Sequence, residues 1–135
     1  LRFFLTFAKA LFVSYPEIVF IPLNLLEIIG FANEGITNVL MGGNREFLEF
    51  FHYASYKKEG NSFEIIESPR IIKYEDAKLL KNPFFLGLNP DFNVNNFEIK
   101  LEHIDNIAKW KKESNNIDDI VLLTPYYFKN FKINL

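Results

Sequence analysis

The sequence predicts an α+β fold, because apolar residues recur at helical spacing in some segments and in short strand-like runs in others. The chain has 135 residues, of which 49% are hydrophobic and 17% aromatic, enough to bury one core. We predict an N-terminal helix-strand-helix-strand-strand layer followed by a smaller strand-rich C-terminal part with an inserted helix. The predicted boundaries are an N-terminal domain over residues 1–74, an insertion over residues 75–117, and a C-terminal strand and tail over residues 118–135.

The first helix is predicted from apolar residues spaced three and four apart between Phe3 and Leu11. It ends before Pro16, because the residue that precedes a proline avoids the helical region. A short strand is predicted at Glu17–Ile21. A second helix covers Leu23–Asn33, and Gly35 is placed as its stop.

A hairpin and a further strand are predicted next. Thr37–Met41 and Glu46–Tyr53 flank the turn signal Gly42-Gly43-Asn44, which is typical of paired strands. The polar segment Lys57–Asn61 predicts a second turn, followed by a strand at Ser62–Glu67.

The character of the chain changes after Tyr74. One or two helical turns are predicted in Glu75–Lys81, followed by an irregular, Asn-rich stretch up to Asn96. A third helix is predicted from Leu101 onward, with lysines near its C-terminus and Ser114-Asn115-Asn116 at its end. The last predicted strand is Ile120–Thr124.

Composition and motifs exclude several function classes. The formal net charge of -2 gives no general argument for a nucleic-acid partner. The absence of cysteine removes disulfides, thiolate metal sites and a cysteine nucleophile. His52 and His103 lack metal-ligand spacing, and no phosphate-binding glycine loop or nucleophile elbow is present. We expect no catalytic residues, no metal, no cofactor and no small-molecule substrate.

Residue usage bears on location. Lysine outnumbers arginine twelve to three, and residues with A/T-rich codons are abundant, which indicates an A/T-rich genome. The sequence begins with Leu1 and not Met, and we expect a processed product, a fragment or an unusual start codon with no arginine-rich presequence before the fold. We therefore expect an organelle-encoded protein of the mitochondrial matrix. Residues 3–31 are the most apolar, but charges and prolines interrupt them, which argues against a transmembrane helix.

Three groups of residues carry a resemblance to a known family. They are Leu5–Ala10 with Ile21-Pro22, Leu48–Tyr53 with Ser68–Tyr74, and Val121–Tyr127. Their order and spacing resemble the family of the universal small-ribosomal-subunit protein eight, which binds the central domain of the small-subunit rRNA. The resemblance covers residues 5–74 and 118–128 and leaves residues 75–117 unmatched.

The chain also departs from that family's pattern. Arg70 stands in place of a motif glycine, and Lys73 follows one position after the family's arginine. Pro125 and Tyr127 replace a serine and a glycine. The family's backbone turn against RNA therefore does not carry over to this chain.

The candidate RNA-binding residues combine positive charge, hydroxyl groups and aromatic rings, the side chains that contact phosphate, ribose and bases. The resemblance marks the first two, and the others lie in local clusters. The set is Thr6, Lys9, Lys57, Lys58, Ser68, Arg70, Lys73, Thr124, Tyr126 and Lys129.

The resulting hypothesis is a non-catalytic structural constituent of an organellar, mitochondrial small ribosomal subunit. Its expected partners are small-subunit rRNA and, through residues 75–117, neighbouring ribosomal proteins. The alternative is an accessory subunit of a mitochondrial inner-membrane respiratory or ATP synthase complex. Residues 1–31 discriminate between the two, since the first predicts helix-strand-helix and the second a membrane-buried helical hairpin.

Overall fold

The computed structural model describes residues 2–17, 19–42 and 49–116, and it confirms an α+β fold. The described residues divide into two compact units, one within residues 23–107 and the other formed by those of residues 2–22 with 108–116. The elements in chain order are α1 (Arg2–Ser14), α2 (Leu25–Ala32), β1 (Gly35–Gly42), β2 (Phe50–Glu59), β3 (Ser62–Lys73), α3 (Tyr74–Lys78), β4 (Phe84–Gly87) and α4 (Leu101–Glu113).

The four strands form one mixed sheet in the order β3-β2-β1-β4. Strands β1 and β2 are antiparallel, as the hairpin prediction required, with Thr37 opposite Tyr56. Strand β3 is antiparallel to β2 and continues beyond the predicted end at Glu67, with register shifts opposite residues 53–56. It lies at an edge of the sheet, where Pro69 is tolerated because no outer strand needs its missing N–H group.

Helix α2 covers one face of the sheet. The Asn24 side chain caps its start by accepting a hydrogen bond from the Leu26 N–H at 2.8 Å. Ile29 is fully buried with Val39 and Tyr56 beneath the helix. A Cβ on Gly30 would lie 2.4 Å from the Tyr56 ring, so only glycine allows this close approach.

The opposite face is covered at one end by α3 and the loop after β4. Leu40, Phe51 and Phe85 are fully buried there. The Phe92 ring packs against both Phe51 and Phe85, with centroid distances of 5.4 and 5.1 Å. Each face of the sheet therefore carries its own apolar cluster.

The structure also differs from the sequence prediction in other strands, since β2 continues to Glu59 through the start of the predicted turn Lys57–Asn61. The described residues 17 and 19–21 of the predicted strand Glu17–Ile21 lie outside the sheet. The place beside β1 is taken by β4, which pairs with it in parallel. Strand β4 lies in the stretch predicted to be irregular, because three apolar residues next to Pro83 are too few to show periodicity.

The helical predictions agree with the structure. Helices α1, α2 and α4 and the short α3 lie where they were predicted. The predicted strand Ile120–Thr124 and the Gly43-Asn44 part of the first turn lie outside the described residues. In the unit that contains α1, the buried Lys111 side chain donates a hydrogen bond to the Pro22 carbonyl at 3.0 Å.

Candidate nucleic-acid interface

The β2–β3 hairpin brings several predicted RNA-binding residues together. Lys57 and Lys58 are half-buried at the end of β2, and Ser68, Arg70 and Lys73 are exposed along β3. These residues thus share one hairpin of consecutive strands, and three of them lie on an outer strand. This grouping is the part of the predicted site that the described residues assemble.

Most of these cations already have carboxylate partners. Lys57 lies 3.1 Å from Glu59, and Lys58 lies 3.2 Å from Glu34. The Lys58 ammonium also lies 5.0 Å from the centre of the Phe31 ring. Because the carboxylate of each pair is exposed to solvent, the pair contributes little net energy, so a phosphate can compete for the cation.

The Glu34 carboxylate lies next to the hairpin turn. Its pKa is lowered from the usual value, first by the hydrogen bond from Lys58 and then by the Gly60 N–H, which donates at 3.3 Å. Gly60 has a φ of 59°, the left-handed conformation that glycine adopts readily. The turn and the ion pair therefore support one another.

A polar cluster lies on the sheet face beside Arg70. The Tyr53 hydroxyl donates to a Glu67 oxygen, and the second oxygen of Glu67 lies 3.1 Å from the Arg70 guanidinium. Burial, and then the Glu67 carboxylate, raises the pKa of Tyr53 to about 12. The Ser55 hydroxyl donates to the Asn38 side chain at 2.8 Å. Sequence reasoning missed this cluster, since its members come from three strands.

The other predicted residues are not part of the hairpin. Thr6 is exposed and Lys9 half-buried on α1, three positions apart and so on one side of the helix. Thr124, Tyr126 and Lys129 lie outside the described residues.

A groove of 610 Å³ lies beside β4 and the start of α4. The Phe97 and His103 rings form part of its wall and stack with centroids 5.4 Å apart and planes 19° apart. Its lining residues are Leu86, Asn95, Asn96, Phe97, Glu98, Lys100 and His103. This segment lies in the insertion predicted to contact neighbouring ribosomal proteins, and its density of asparagine was the one sequence signal for a binding site.

Within the described ranges, no group of three or more His, Asp or Glu side chains converges to hold a metal ion. Burial lowers the pKa of His52, which disfavours its charged form. Among the same residues, no helix is long and apolar enough to cross a membrane. No family model, curated protein or solved structure matches the chain.

Proposed function

We propose that this protein is a non-catalytic structural constituent of an organellar, mitochondrial small ribosomal subunit and that it binds central-domain rRNA. The observation that carries the proposal is the exposed half of β3. This edge strand presents Ser68, Arg70 and Lys73 to solvent along six residues. It is also the segment whose order and spacing resemble the ribosomal family.

The chemistry of this strand suits an RNA backbone. A guanidinium and an ammonium group neutralise phosphates, and a serine hydroxyl bonds to ribose or phosphate oxygens. Lys73 has no ion pair among the described residues. Arg70 exchanges its exposed contact with Glu67 for a phosphate. Because few phosphates are neutralised, affinity falls only shallowly as salt rises.

The first experiment is sucrose-gradient sedimentation of detergent-solubilised organelles, with the chain followed by mass spectrometry. We expect comigration with the small ribosomal subunit and loss of that comigration after RNase treatment. RNase-insensitive migration with respiratory or ATP synthase subunits would overturn the proposal.

A binding experiment then tests the strand itself. The double variant Arg70→Gln and Lys73→Gln should weaken binding to a central-domain rRNA transcript and reduce the salt dependence. Lys81→Gln with Lys109→Gln removes the same charge from exposed positions outside β3 and serves as the matched control. Equal losses in the two double variants would mean that β3 is not the contact.

One observation favours the alternative of a membrane-complex accessory subunit. Phe7 and Val13 of α1 are 56% and 77% exposed, and Val19 is 61% exposed. Apolar side chains of this kind are often covered by a partner. Sedimentation separates the two functions, because the ribosomal assembly depends on RNA and the membrane complex does not.

A further inference from the structure

The groove beside β4 has an aromatic wall held from two sides. The Phe97 ring stacks on His103, and the Phe84 ring meets it edge-on at 6.0 Å with an interplanar angle of 84°. Phe97 also packs against the apolar cluster beneath α2. The wall is therefore anchored to the core.

His103 is oriented by the helix that carries it. Its Nδ1 accepts a hydrogen bond from the Lys100 N–H at 3.2 Å, at the start of α4. This is the half of a capping box that a glutamate or glutamine normally supplies. Because Nδ1 is the acceptor, the neutral ring carries its proton on Nε2. The groove thus contains the His103 imidazole in a fixed orientation, with its Nε2–H as a hydrogen-bond donor.

The polar side chains around this wall retain unused hydrogen-bonding groups. The Asn95 side-chain oxygen accepts from the Phe85 N–H at 3.0 Å, which leaves its NH₂ group available. Asn96, Glu98 and Lys100 are exposed and make no side-chain hydrogen bond within the described residues. Donors, an acceptor carboxylate and a cation therefore meet next to an aromatic surface.

This combination fits one ligand chemistry. Nucleobases stack on aromatic and histidine rings and form hydrogen bonds to asparagine and carboxylate groups along their edges. The Glu98 carboxylate accepts hydrogen bonds only, so it suits a base with an exocyclic amino group. Lys100 supplies the charge that a neighbouring phosphate needs. A volume of 610 Å³ lies within the usual range of small-ligand sites.

We propose that the groove between β4 and the start of α4 binds one unpaired nucleobase that carries an exocyclic amino group, stacked on the Phe97–His103 wall. The inference rests on the proposed function for the source of the base, an RNA strand. It assigns a second RNA contact to a segment that the sequence analysis expected to face other proteins.

The test compares cytidine and uridine ligands, which differ at C4 in an amino group against a carbonyl. Fluorescein-labelled hexamers of C and of U are titrated with the full chain and followed by fluorescence anisotropy. We expect the C hexamer to bind about tenfold more tightly than the U hexamer. Equal binding of the two hexamers, or no binding of the C hexamer, would overturn the proposal.

Two variants locate the binding. His103→Gln keeps a side-chain acceptor for the Lys100 N–H and removes the ring, so we expect the fold to persist and C-hexamer affinity to fall about tenfold. Glu102→Gln, at an exposed neighbouring position outside the groove lining, is the control and should bind like the wild type. Circular dichroism checks the fold of both. Unchanged affinity in a folded His103→Gln variant contradicts the site.

Calorimetry with CMP separates the two sources of the base. Weak or undetected CMP binding beside clear C-hexamer binding supports an RNA strand as the source. CMP binding as tight as the hexamer overturns the link to RNA. If the chain binds the C hexamer and yet fails to comigrate with the ribosome, that result would refute the proposed function and still support the nucleobase site in the groove. Comigration with the ribosome without hexamer binding would support the proposed function and refute the nucleobase site in the groove.

Discussion

The two edge strands of the sheet satisfy their polar groups in different ways. On β3, the charged Arg70 side chain is paired with Glu67 in a solvated contact that exchanges readily with water or phosphate. On β4, Asn95 satisfies both backbone polar groups of Phe85. The Asn95 N–H donates to the Phe85 carbonyl at 2.8 Å, and the Asn95 side-chain oxygen accepts a hydrogen bond from the Phe85 N–H. One residue there takes the place of a neighbouring strand.

This difference shows that a charged or polar residue in the sequence does not by itself indicate a group that is free to bind a ligand in the structure. Of the two predicted RNA-binding cations on β3, Arg70 is compensated by Glu67, whereas Lys73 has no ion pair among the described residues. The asparagine-rich segment beside β4 carries little charge, yet its side chains have hydrogen-bonding groups left over. Stability and binding should therefore respond differently to substitutions at the two edges.

The largest expected effect is at β4. A Cβ on Gly87 would lie 1.7 Å from the Gly42 carbonyl oxygen and 2.7 Å from the Phe85 ring. Because the first clash is with backbone, Gly87→Ala must push β4 away from β1, and we expect a loss of about 3 kcal/mol in the free energy of unfolding. Urea unfolding measures it. Leu88→Ala, at a side chain 81% exposed, should stay within about 0.5 kcal/mol of the wild type. Similar small changes in both would show that β4 is not tightly paired.

A smaller loss in the free energy of unfolding is expected at Asn95, which forms hydrogen bonds with the outer edge of β4. Asn95→Ala removes the acceptor of the Phe85 N–H, and an unsatisfied buried donor costs about 1–3 kcal/mol. Asn96→Ala changes the exposed neighbour and is the control. Urea unfolding compares the two variants, and amide hydrogen exchange at Phe85 should accelerate in Asn95→Ala alone. Unchanged protection at Phe85 would contradict the role of the Asn95 side chain.

The effect on the β3 side should be smaller still. Tyr53→Phe removes the hydroxyl that donates to Glu67 while keeping the ring beside Arg70, and we expect a loss of about 1 kcal/mol. A spectrophotometric titration should also lose a tyrosine that ionises near pH 12. A stability loss as large as that of Asn95→Ala would remove the distinction between the two edges.

The smallest effect concerns pH at the hairpin turn. Because the folded-state pKa of Glu34 is lowered, its contribution to stability is present above the ordinary value of 4.5 and disappears as the pH falls through the lowered pKa. Urea midpoints measured from pH 6 to pH 3 should fall less steeply for Glu34→Gln than for the wild type. Glu113→Gln, at the end of α4, is the control. Parallel pH profiles for wild type and Glu34→Gln would show that the Lys58 pairing is energetically neutral.

Much of the fold was predictable because the signals were local. The apolar periodicity that predicted α1, α2 and α4 acts within one or two helical turns. The β1–β2 hairpin follows from two apolar runs around a turn. The failures came where the deciding contact is distant. The predicted strand Glu17–Ile21 looks like a strand locally, but β4, more than forty residues downstream of β1, occupies the place beside β1.

The candidate sites divide in the same way. Sequence order placed Ser68, Arg70 and Lys73 in one segment after the predicted strand Ser62–Glu67, and the structure extends β3 to Lys73 so that all three lie on it. It did not predict that Glu34 would reach Lys58, or that Tyr53 would lie against Glu67, because these pairs form only when strands align. The groove beside β4 was missed for the same reason, as it requires Asn95 to pair with Phe85 and His103 to stack on Phe97.

By itself, the sequence determined the α+β class, the helices, the first hairpin and a chain without cysteine chemistry, because composition and short-range periodicity specify these. The tertiary structure alone decided which strand lies beside β1, which cations are compensated and where unused polar groups converge. Strand pairing joins residues that are distant in the chain. The periodicity of apolar residues within one strand does not indicate which other strand pairs with it.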